Sequence, residues 1–594
     1  MALGSAGWSS SSPKSVTSLS MRSAVQRWRS TSRCQRRRRR GCVRVVATNF
    51  AQLRYGSLPG RRVTAPGLGT CDLVNQAPYL YAEYSYGMQI AETDRKAPTR
   101  AQRWGLLVTV SAGLLLITLD HSVLYTALPT LTAGLGATGT QSLWIINAYP
   151  VVMAGLLLGS GTLGDRVGHR RMFLVGLFVF AVASLLAAFA PNTGVLIAAR
   201  ALLAVGAATM MPATLALIRV TFQVERERNV AIAVWGSLAV VGAALGPIVG
   251  GALLETFWWG SVFLVNVPVA AAAMAATLLV APRNDPDPSK RWDLVSSLQV
   301  MVGLVGAVFA IKELAHQPPS PTVLTIAVLA SAVGLTLFVR RQRRLADPLL
   351  DFAIFRNPAF TSGVLAAALA LFAITGLQLV TTQRFQLVAG FTPLQAGLLV
   401  AAVAAGALPT ALLGGAVLHR TGLLPLITGG LTLAVPGVIL VALGLHAGLP
   451  VLVTGMIVTG AGLGATMSVA STAIVGNAPV RRAGMAASVG ETSYEFGALT
   501  AVALLGSLVT VVYTTVVRLP PGAPTVAGDS LPDALAAAGG DQAVITAAHT
   551  AYDIGYLITI AVVAVALTAG AALTGRLLRH HGPGTASGVI PAEH

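Results

Sequence analysis

Residues 142–190 read SLWIINAYPVVMAGLLLGSGTLGDRVGHRRMFLVGLFVFAVASLLAAFA, which is two apolar runs joined by a short charged segment. The runs, 142–164 and 172–190, contain no Asp, Glu, Lys or Arg. Each has about the 20 residues that a helix needs to cross the apolar core of a bilayer. Unpaired backbone polar groups are costly in lipid, so such runs must be helical. The stretch therefore predicts a pair of membrane-spanning helices.

The same pattern continues along most of the chain. The sequence is 54% hydrophobic and only 11% charged, whereas a soluble domain carries about 25% charged residues. A soluble protein of this length is excluded, and an all-α polytopic membrane protein with fourteen transmembrane helices is predicted. The apolar runs lie at 105–129, 142–164, 172–190, 194–220, 229–254, 261–281, 294–311, 322–339, 359–380, 393–418, 424–446, 450–475, 484–513 and 553–575.

Lys and Arg are distributed unevenly between the segments that connect these runs. Outside the N-terminal extension, nineteen lie at the chain ends or after even-numbered runs, and three lie after odd-numbered runs. Cytoplasmic loops carry the excess of positive charge in membrane proteins. The distribution therefore predicts that both termini lie in the cytoplasm.

Residues 1–104 form a basic extension with 18 Lys and Arg against four Asp and Glu, including the run Arg36–Arg40. The extension also holds all three cysteines, so the membrane block has no thiolate metal site or disulfide. One interpretation is a tail that binds anionic lipid or nucleic acid. We favour a disordered extension, or a translation start at Met88, because the extension lacks the apolar stretch of a signal peptide.

A short internal repeat predicts the division of the chain. Gly161-Thr-Leu-Gly-Asp-Arg-Val-Gly168 follows the second run, and Gly415-Ala-Val-Leu-His-Arg-Thr-Gly422 follows the tenth. Two six-helix halves separated by a two-helix insert explain this offset, and substrate sites of such repeats lie at the interface of the halves. The predicted parts are the extension 1–104, the N-terminal bundle 105–281, the linker and insert 282–345, the C-terminal bundle 346–577 with an irregular outside loop at 514–552, and a cytoplasmic tail 578–594.

The loop after the second run resembles the signature between helices two and three of the major facilitator superfamily. Its glycines permit a tight turn, and its acid can cap a helix or pair with a cation. The resemblance implies a latch that holds one conformation of the transporter. The matching residues are Gly161, Asp165, Arg166, Gly168, Arg170 and Arg171.

The fifth run resembles the antiporter motif of the same superfamily. Small residues four apart let helices approach closely, and a proline inside a helix removes a backbone donor and can kink it. The resemblance implies a pliable, tightly packed helix that acts as a gate. The residues concerned are Gly242, Gly246, Pro247, Gly250 and Gly251.

The end of the first run resembles the first-helix motif of the fourteen-span drug:proton antiporters, and the fourth run resembles the fourth-helix motif of the superfamily. Three short segments narrow the resemblance to QacA- and SmvA-type exporters of quaternary ammonium compounds and methyl viologen, and they are Leu143–Tyr149, Met211–Arg219 and Phe263–Pro268. The first run ends Leu119-Asp-His-Ser-Val-Leu-Tyr-Thr-Ala-Leu-Pro129, and the fourth contains Arg200 within Leu196-Ile-Ala-Ala-Arg-Ala-Leu-Leu-Ala-Val-Gly206. The resemblance implies the major facilitator fold, and it implies that Arg200 takes part in proton coupling.

Three carboxylates lie inside predicted membrane helices, where a charge costs at least about 2.5–3.5 kcal/mol. They are Asp120, Glu491 and Glu495, and the last two share a helical face because they are four residues apart. Burial favours the neutral acid, whereas a bound lipophilic cation favours the ionised form. Proton and cation therefore compete for one carboxylate, which is the minimal mechanism of antiport.

Aromatic residues in the predicted spans could contact a cationic substrate through cation–π interactions. The candidates are Trp144, Tyr149, Trp235 and Tyr494. For any single one of them, helix packing or a place in the interfacial aromatic belt is the favoured interpretation.

The sequence departs from the pattern of QacA-type exporters at three positions that are acidic there. They hold Asn147, Ala407 and Gly490 in this chain. Fewer acids favour monovalent or neutral substrates over divalent cations. The number of protons exchanged remains open.

We therefore predict a monomeric plasma-membrane exporter, bacterial by resemblance, that exchanges lipophilic cations for protons and needs no cofactor, metal or nucleic acid. One alternative is an exporter of a neutral or anionic natural product, in which Arg200 contacts the substrate. A solute importer is less favoured because of the antiporter motif. A membrane enzyme is also less favoured, because the block has neither metal-ligand spacing nor a Gly-x-Ser-x-Gly elbow.

Overall fold

The computed structural model describes residues 99–282, 286–287, 292–315, 319–345, 348–478 and 483–580. The predictions on the extension, which include Met88, Arg36–Arg40 and the cysteines, fall on residues before this range. The predictions on the tail beyond residue 580 also lie outside it.

Every predicted apolar run lies in a long helix, and among the described residues thirteen helices are long and apolar enough to cross a membrane. A fourteenth, α5, meets the same test when its two bent parts are taken together. The all-α polytopic fold is confirmed. The helices are α1 Arg100–Leu135, α2 Gly139–Val167, α3 His169–Ala188, α4 Thr193–Thr221, α5 Glu225–Thr256, α6 Ser261–Val280, α7 Leu294–Ala315, α8 Pro321–Gln342, α9 Pro358–Leu387, α10 Pro393–Thr421, α11 Leu423–Ala447, α12 Leu449–Gly476, α13 Ala483–Val516 and α14 Gln542–Leu577.

The sequence signals at the helix ends explain the internal repeat. Helices α2 and α10 begin with the same capping box, in which Thr138 or Thr392 exchanges hydrogen bonds with a glutamine three residues later. Both helices end at a glycine with positive φ, 94° at Gly168 and 77° at Gly422. The next helix begins at the following residue in each case. The two loops are thus the same turn in the two halves.

Helix α5 bends by 40° between Val230–Ala243 and Leu245–Thr256. Pro247 lies four residues after Ala243 and cannot donate the hydrogen bond that the carbonyl of Ala243 would accept. The missing bond and the proline ring account for the position of the bend.

Two hydrophobic clusters form the core of the described residues. One is built almost entirely from α1–α6, and the other from α9–α14 together with α2, α7 and α8. The halves meet most closely at the end where α1 stops and α2 starts. Thr382 Oγ1 and Gln386 Nε2 of α9 donate to the carbonyls of Tyr125 and Thr126 of α1, at 3.1 Å and 2.9 Å.

Other contacts close the same end of the molecule. Gly251 of α5 lies against the backbone of Leu394 in α10, and Gly397 lies against the carbonyl of Pro247. By the predicted orientation this end faces the outside.

Helix α7 of the insert packs along most of α2. At one end, Lys312 Nζ donates to the carbonyl of Thr140 at 3.1 Å and lies 4.6 Å above the ring of Trp144. Further along, Gly155 contacts Met301 and Gly159 contacts Ser297 and Trp292. The residue numbers rise on α2 as they fall on α7, so the two helices run antiparallel in one register. The contacts extend over 140–159, which is roughly 30 Å of helix.

The other end of the insert is held by an ion pair. Asp293 accepts hydrogen bonds from Arg341 Nη2 at 3.0 Å and from the backbone N–H of Ser296 at 3.2 Å. Burial opposes ionisation of Asp293, but the hydrogen bonds from Arg341 and Ser296 and the charge of Arg341 outweigh it and lower its pKa below the ordinary value. Asp293 therefore begins α7 and also joins it to the end of α8.

Residues 514–552 are more regular than the sequence suggested. Besides short helices at Thr525–Gly528 and Leu531–Ala537, α14 begins at Gln542, before the apolar run 553–575. The side chain of Asp541 accepts the N–H of Ala543 and caps the helix there. The prediction of an irregular loop is thus wrong for much of this segment, because its polar residues lie on the first turns of a membrane helix.

Candidate substrate and proton site

An ion pair lies inside the N-terminal bundle. Asp120 on α1 is 2% exposed and Arg200 on α4 is fully buried. Arg200 Nη1 donates to Asp120 Oδ2, and Arg200 Nε donates to the carbonyl of Ile145 on α2 at 3.3 Å. These two hydrogen bonds of Arg200 join α4 to α1 and α2.

Asn266, at the first turn after a short break in α6, completes the surroundings of Asp120. Its Nδ2 donates to Asp120 Oδ1 at 3.0 Å, and the same nitrogen lies 3.4 Å from Ser184 Oγ of α3. Both Asn266 and Ser184 are fully buried. The two oxygens of Asp120 thus have different partners, a charged one and a neutral one.

A group of rings lies beside the ion pair. The ring of Tyr149 is 4.8 Å from Arg200 Cζ, which is a cation–π distance. The same ring stacks on His121 with centroids 5.8 Å apart and planes at 19°. His121 Nε2 lies 3.1 Å from the hydroxyl of Tyr125. His121, the residue after Asp120, therefore connects Tyr149 beside the ion pair to a second tyrosine, Tyr125.

The C-terminal bundle contributes the carboxylates of α13. Glu495 is 9% exposed, and its Oε2 has no hydrogen-bond partner among the described residues. Glu491, one turn earlier, is half-buried. On α13, Glu495 lies between Ser488 and Gly506, which contact Gly161 and Leu143 of α2. Because the two helices run antiparallel, Glu495 lies at the level of the α2 segment that carries Tyr149.

Several other buried polar atoms near this region have no partner within the described part of the chain. They are Asn147 Nδ2 and Oδ1, the hydroxyl of Tyr149, Arg200 Nη2 and Asn266 Oδ1. Buried polar groups are nearly always paired with protein or water. Water or the polar part of a substrate can bind to these atoms. No group of three or more His, Cys, Asp or Glu in the described ranges could hold a metal ion.

The glycines of α5 press this helix against α1 at the level of Asp120. A Cβ added at Gly242 or Gly246 would overlap Thr118 or Ser122, and one at Gly250 would lie 2.9 Å from a methyl of Val123. The hydroxyl of Ser122 donates to the carbonyl of Gly242 at 3.2 Å. The fourth predicted glycine, Gly251, faces α10 of the other half instead, as described above. Helix α5 therefore contacts both α1 beside Asp120 and the opposite bundle.

The acid of the loop between α2 and α3 has two partners. Asp165 Oδ1 lies 3.3 Å from His169 Nε2, a residue four positions later. Its carbonyl accepts the N–H of Asp287, in the segment before the insert, at 2.9 Å. The acid thus pairs with a side chain of its own loop and binds the linker through its backbone.

The remaining loop residues lie at the same end of the bundle. Arg170 Nη2 donates to the carbonyl of Leu278 on α6 at 2.8 Å. Gly161 faces Ser488 of α13, while Arg166 and Arg171 are exposed.

Three of the four predicted aromatic contacts lie away from the ion pair. Trp144 packs on Phe309 of the insert, with centroids 4.6 Å apart. Trp235 is buried in the core of the N-terminal bundle, and the hydroxyl of Tyr494 donates to the carbonyl of Met467 at 3.4 Å. Trp144 therefore has a cation of the chain itself, Lys312, over its ring, and Tyr149 is the one of the four that lies against Arg200.

The comparison with protein families gives one match over most of the membrane block. The sequence profile of the Major Facilitator Superfamily matches residues 110–502. The chain belongs to the Major Facilitator Superfamily. It is therefore a multi-pass membrane transporter, and Asp120, Arg200 and Glu495 all fall within the matched residues.

Relatives in this superfamily are similar over nearly their full length. The multidrug efflux pump LfrA of Mycolicibacterium smegmatis is 38% identical over 501 residues, which are 82% of this chain and 97% of LfrA. The methyl viologen resistance protein SmvA of Salmonella typhimurium is 35% identical over 422 residues, 71% of this chain and 85% of SmvA.

A solved structure with the same fold is the crystal structure of a bacterial homologue of the human lysosomal transporter Spinster, inward-facing and unoccupied. It matches with a TM-score of 0.58 and 17% identity, and the match covers 82% of this chain and all of that chain. This similarity supports the major facilitator fold.

Three residues of this candidate site were not predicted from the sequence. They are His121, Ser184 and Asn266, which are uncharged or only weakly basic and therefore stand out little in an apolar run. One signal was available for Asn266, because it is the single strongly polar residue of the run 261–281. A buried amide in a membrane helix needs a partner, and a carboxylate is a strong acceptor.

Proposed function

We propose that this chain exports lipophilic cations across the bacterial plasma membrane in exchange for protons, by alternating access. The observation that carries the proposal is the buried pair of Asp120 and Arg200 in one half, with the buried carboxylate of Glu495 on α13 of the other half. The names of LfrA and SmvA agree with it, since methyl viologen is an organic cation.

The mechanism follows from competition for the charge of Arg200. While Asp120 is ionised, Arg200 is held in the N-terminal half, and Glu495 can accept a cation. A proton on Asp120 weakens that pair and leaves the guanidinium charge to act on Glu495, which opposes the bound cation. Proton entry and cation release are thereby linked. The proton gradient supplies the energy, with no cofactor.

The movement that accompanies this exchange requires the two halves to part at their closed end. The contacts of α9 with α1 and of α10 with α5 lie there. Because α5 touches both α1 and α10, a shift of α1 on protonation of Asp120 is passed to the contact between the halves. Glycine packing allows helices to slide without side chains that interlock.

The charge balance depends on how many carboxylates titrate. One proton exchanged for one monovalent cation moves no net charge and uses only the pH gradient. A second proton, taken up at Glu491 or Glu495, would add about 2.3 kcal/mol per 100 mV of membrane potential.

The test is proton-driven ethidium efflux in energised inside-out vesicles. Wild-type protein should accumulate ethidium, and uptake should collapse when the proton gradient is dissipated. Asp120→Asn and Glu495→Gln should each abolish it, while Glu255→Gln, a change at the end of α5, serves as the matched control. Absence of ethidium transport by folded wild-type protein would reject the proposal for cations.

A second candidate is export of a neutral or anionic natural product. It is favoured by the buried, unpartnered Nη2 of Arg200 among the described residues and by the uncharged Asn147. In that case anionic compounds, and not ethidium, would release protons from vesicles containing the wild-type protein.

A further inference from the structure

Asn266 holds Asp120 through one atom of its amide and leaves the other without a partner. Nδ2 donates to Asp120 Oδ1 at 3.0 Å. Oδ1 is buried and has no hydrogen-bond partner among the described residues. A half-turn of a side-chain amide exchanges the positions of its donor and its acceptor.

We propose that Asn266 is a positioning residue for both protonation states of Asp120, through reversal of its side-chain amide. This inference rests on the proposed role of Asp120 as the proton site. With Asp120 ionised, Nδ2 donates to the carboxylate. With Asp120 protonated, a half-turn about the terminal torsion of Asn266 brings Oδ1 into the same place, where it accepts the new O–H.

The surroundings make the two orientations nearly equivalent. Ser184 Oγ lies 3.4 Å from Nδ2, and a hydroxyl accepts from Nδ2 in the first orientation and donates to Oδ1 in the second. In either orientation Asn266 keeps two partners and leaves one amide atom unpaired. Reversal therefore keeps one hydrogen bond between Asn266 and Asp120 in both protonation states.

The charged and titratable groups around Asp120 do not offer this exchange. Arg200 of α4 is a donor in every state, so it cannot accept the proton of the neutral acid. His121 of α1 stacks on Tyr149 of α2, and its Nε2 is paired with the hydroxyl of Tyr125, while Glu495 lies on α13 of the other half. The helix segment Asn266–Val280 contains no acid or base, and near Asp120 α5 presents glycines.

The test separates the return of the empty, protonated carrier from movement of the loaded carrier. Proteoliposomes carry wild type, Asn266→Leu, Asn266→Ser or Ser184→Ala, with folding checked by size-exclusion chromatography. Net proton-driven ethidium efflux requires Asp120 to be protonated in each cycle. Ethidium–ethidium exchange at equal pH does not.

We expect net efflux of Asn266→Leu to fall about tenfold to a hundredfold, the size of a lost hydrogen bond to a charged group. Exchange should stay within about twofold of wild type. Asn266→Ser, whose hydroxyl can both donate and accept, should recover part of the net rate, and Ser184→Ala should lose less than Asn266→Leu.

Equal losses of exchange and net efflux would overturn the inference, because they indicate a structural role. Unchanged net efflux in Asn266→Leu would also overturn it. If the leucine variant does not fold, the same comparison is made with Asn266→Ser against Ser184→Ala. Failure of the proposed function is distinguished by the wild-type protein, which would then show no proton-driven efflux.

Discussion

At the scale of single residues, loss of one member of the buried pair of Asp120 and Arg200 should cost more stability than replacement of both. Removal of one partner leaves the other charge buried and uncompensated, which costs about 3–5 kcal/mol, whereas replacement of both by apolar residues is often neutral. We expect Arg200→Met to lower the thermal unfolding temperature in detergent, and Asp120→Leu with Arg200→Met to restore most of it. Both variants should lack efflux. Equal stability of the single and double variants would contradict this.

Asp293 gives a pH dependence with a defined sign. Because its pKa is lowered in the folded protein, its contribution to stability is fully present above the ordinary pKa of about 4 and is lost as the pH falls through the lower folded pKa. Asp293→Asn keeps the helix cap but removes the charge. We expect it to be less stable than wild type at pH 7, and the difference to vanish in strong acid.

The size of this effect should be below about 1 kcal/mol, because the side chain of Arg341 is 38% exposed. Arg341→Gln is the matched variant, and its loss at pH 7 should be similar. A gap between wild type and Asp293→Asn that persists in acid would show that the amide disturbs the cap.

The charged residues of the site could be predicted from the sequence, and the uncharged ones could not. Asp120, Arg200 and Glu495 could be predicted because ions in apolar runs are rare and costly. His121 and Asn266 could not be ranked in this way, since their importance comes from contacts with helices distant in sequence. Trp144 shows the converse, because its aromatic character gave no hint that its partner would be Lys312.

At the scale of helices, the contact of α5 with α1 distinguishes two glycines of α5 by the space around them. A Cβ at Gly246 would overlap Ser122, whereas nothing lies within 4 Å of a Cβ at Gly236 on the same helix. We expect Gly246→Ala to reduce efflux more than tenfold by forcing α5 away from α1, and Gly236→Ala to leave it near wild type. Similar rates in folded samples of both variants would count against close packing as the reason for the motif.

The helix pattern was readable from the sequence because hydropathy reports burial in lipid and needs no tertiary information. The bend of α5 could be placed from Pro247 alone. The early start of α14 could not, since Gln542 and its neighbours are polar by composition and helical through the cap at Asp541. The boundaries predicted for the two bundles and the insert remain a prediction.

At the scale of the whole molecule, the distribution of Lys and Arg predicts which end faces the cytoplasm. Gly522, between α13 and α14, and Arg344, after α8, are both exposed and lie on opposite predicted sides. With Cys34, Cys42 and Cys71 replaced by Ser, an impermeant maleimide applied to intact cells should label Gly522→Cys and not Arg344→Cys. Permeabilised cells provide the control, and the reverse labelling would invert the topology.

The insert connects the surrounding bilayer to helix α2 of the N-terminal bundle. Only 17% of the apolar stretch of α8 is buried inside the protein. The 22 residues of α8 span about 33 Å, near the thickness of a lipid core. Lipids of graded acyl length in proteoliposomes should change the efflux rate, and a flat profile would reject the link. Since α8 packs on α7 through Gly303 and Gly334, and α7 lies along α2, membrane thickness and lateral pressure become inputs to the transporter alongside proton and drug.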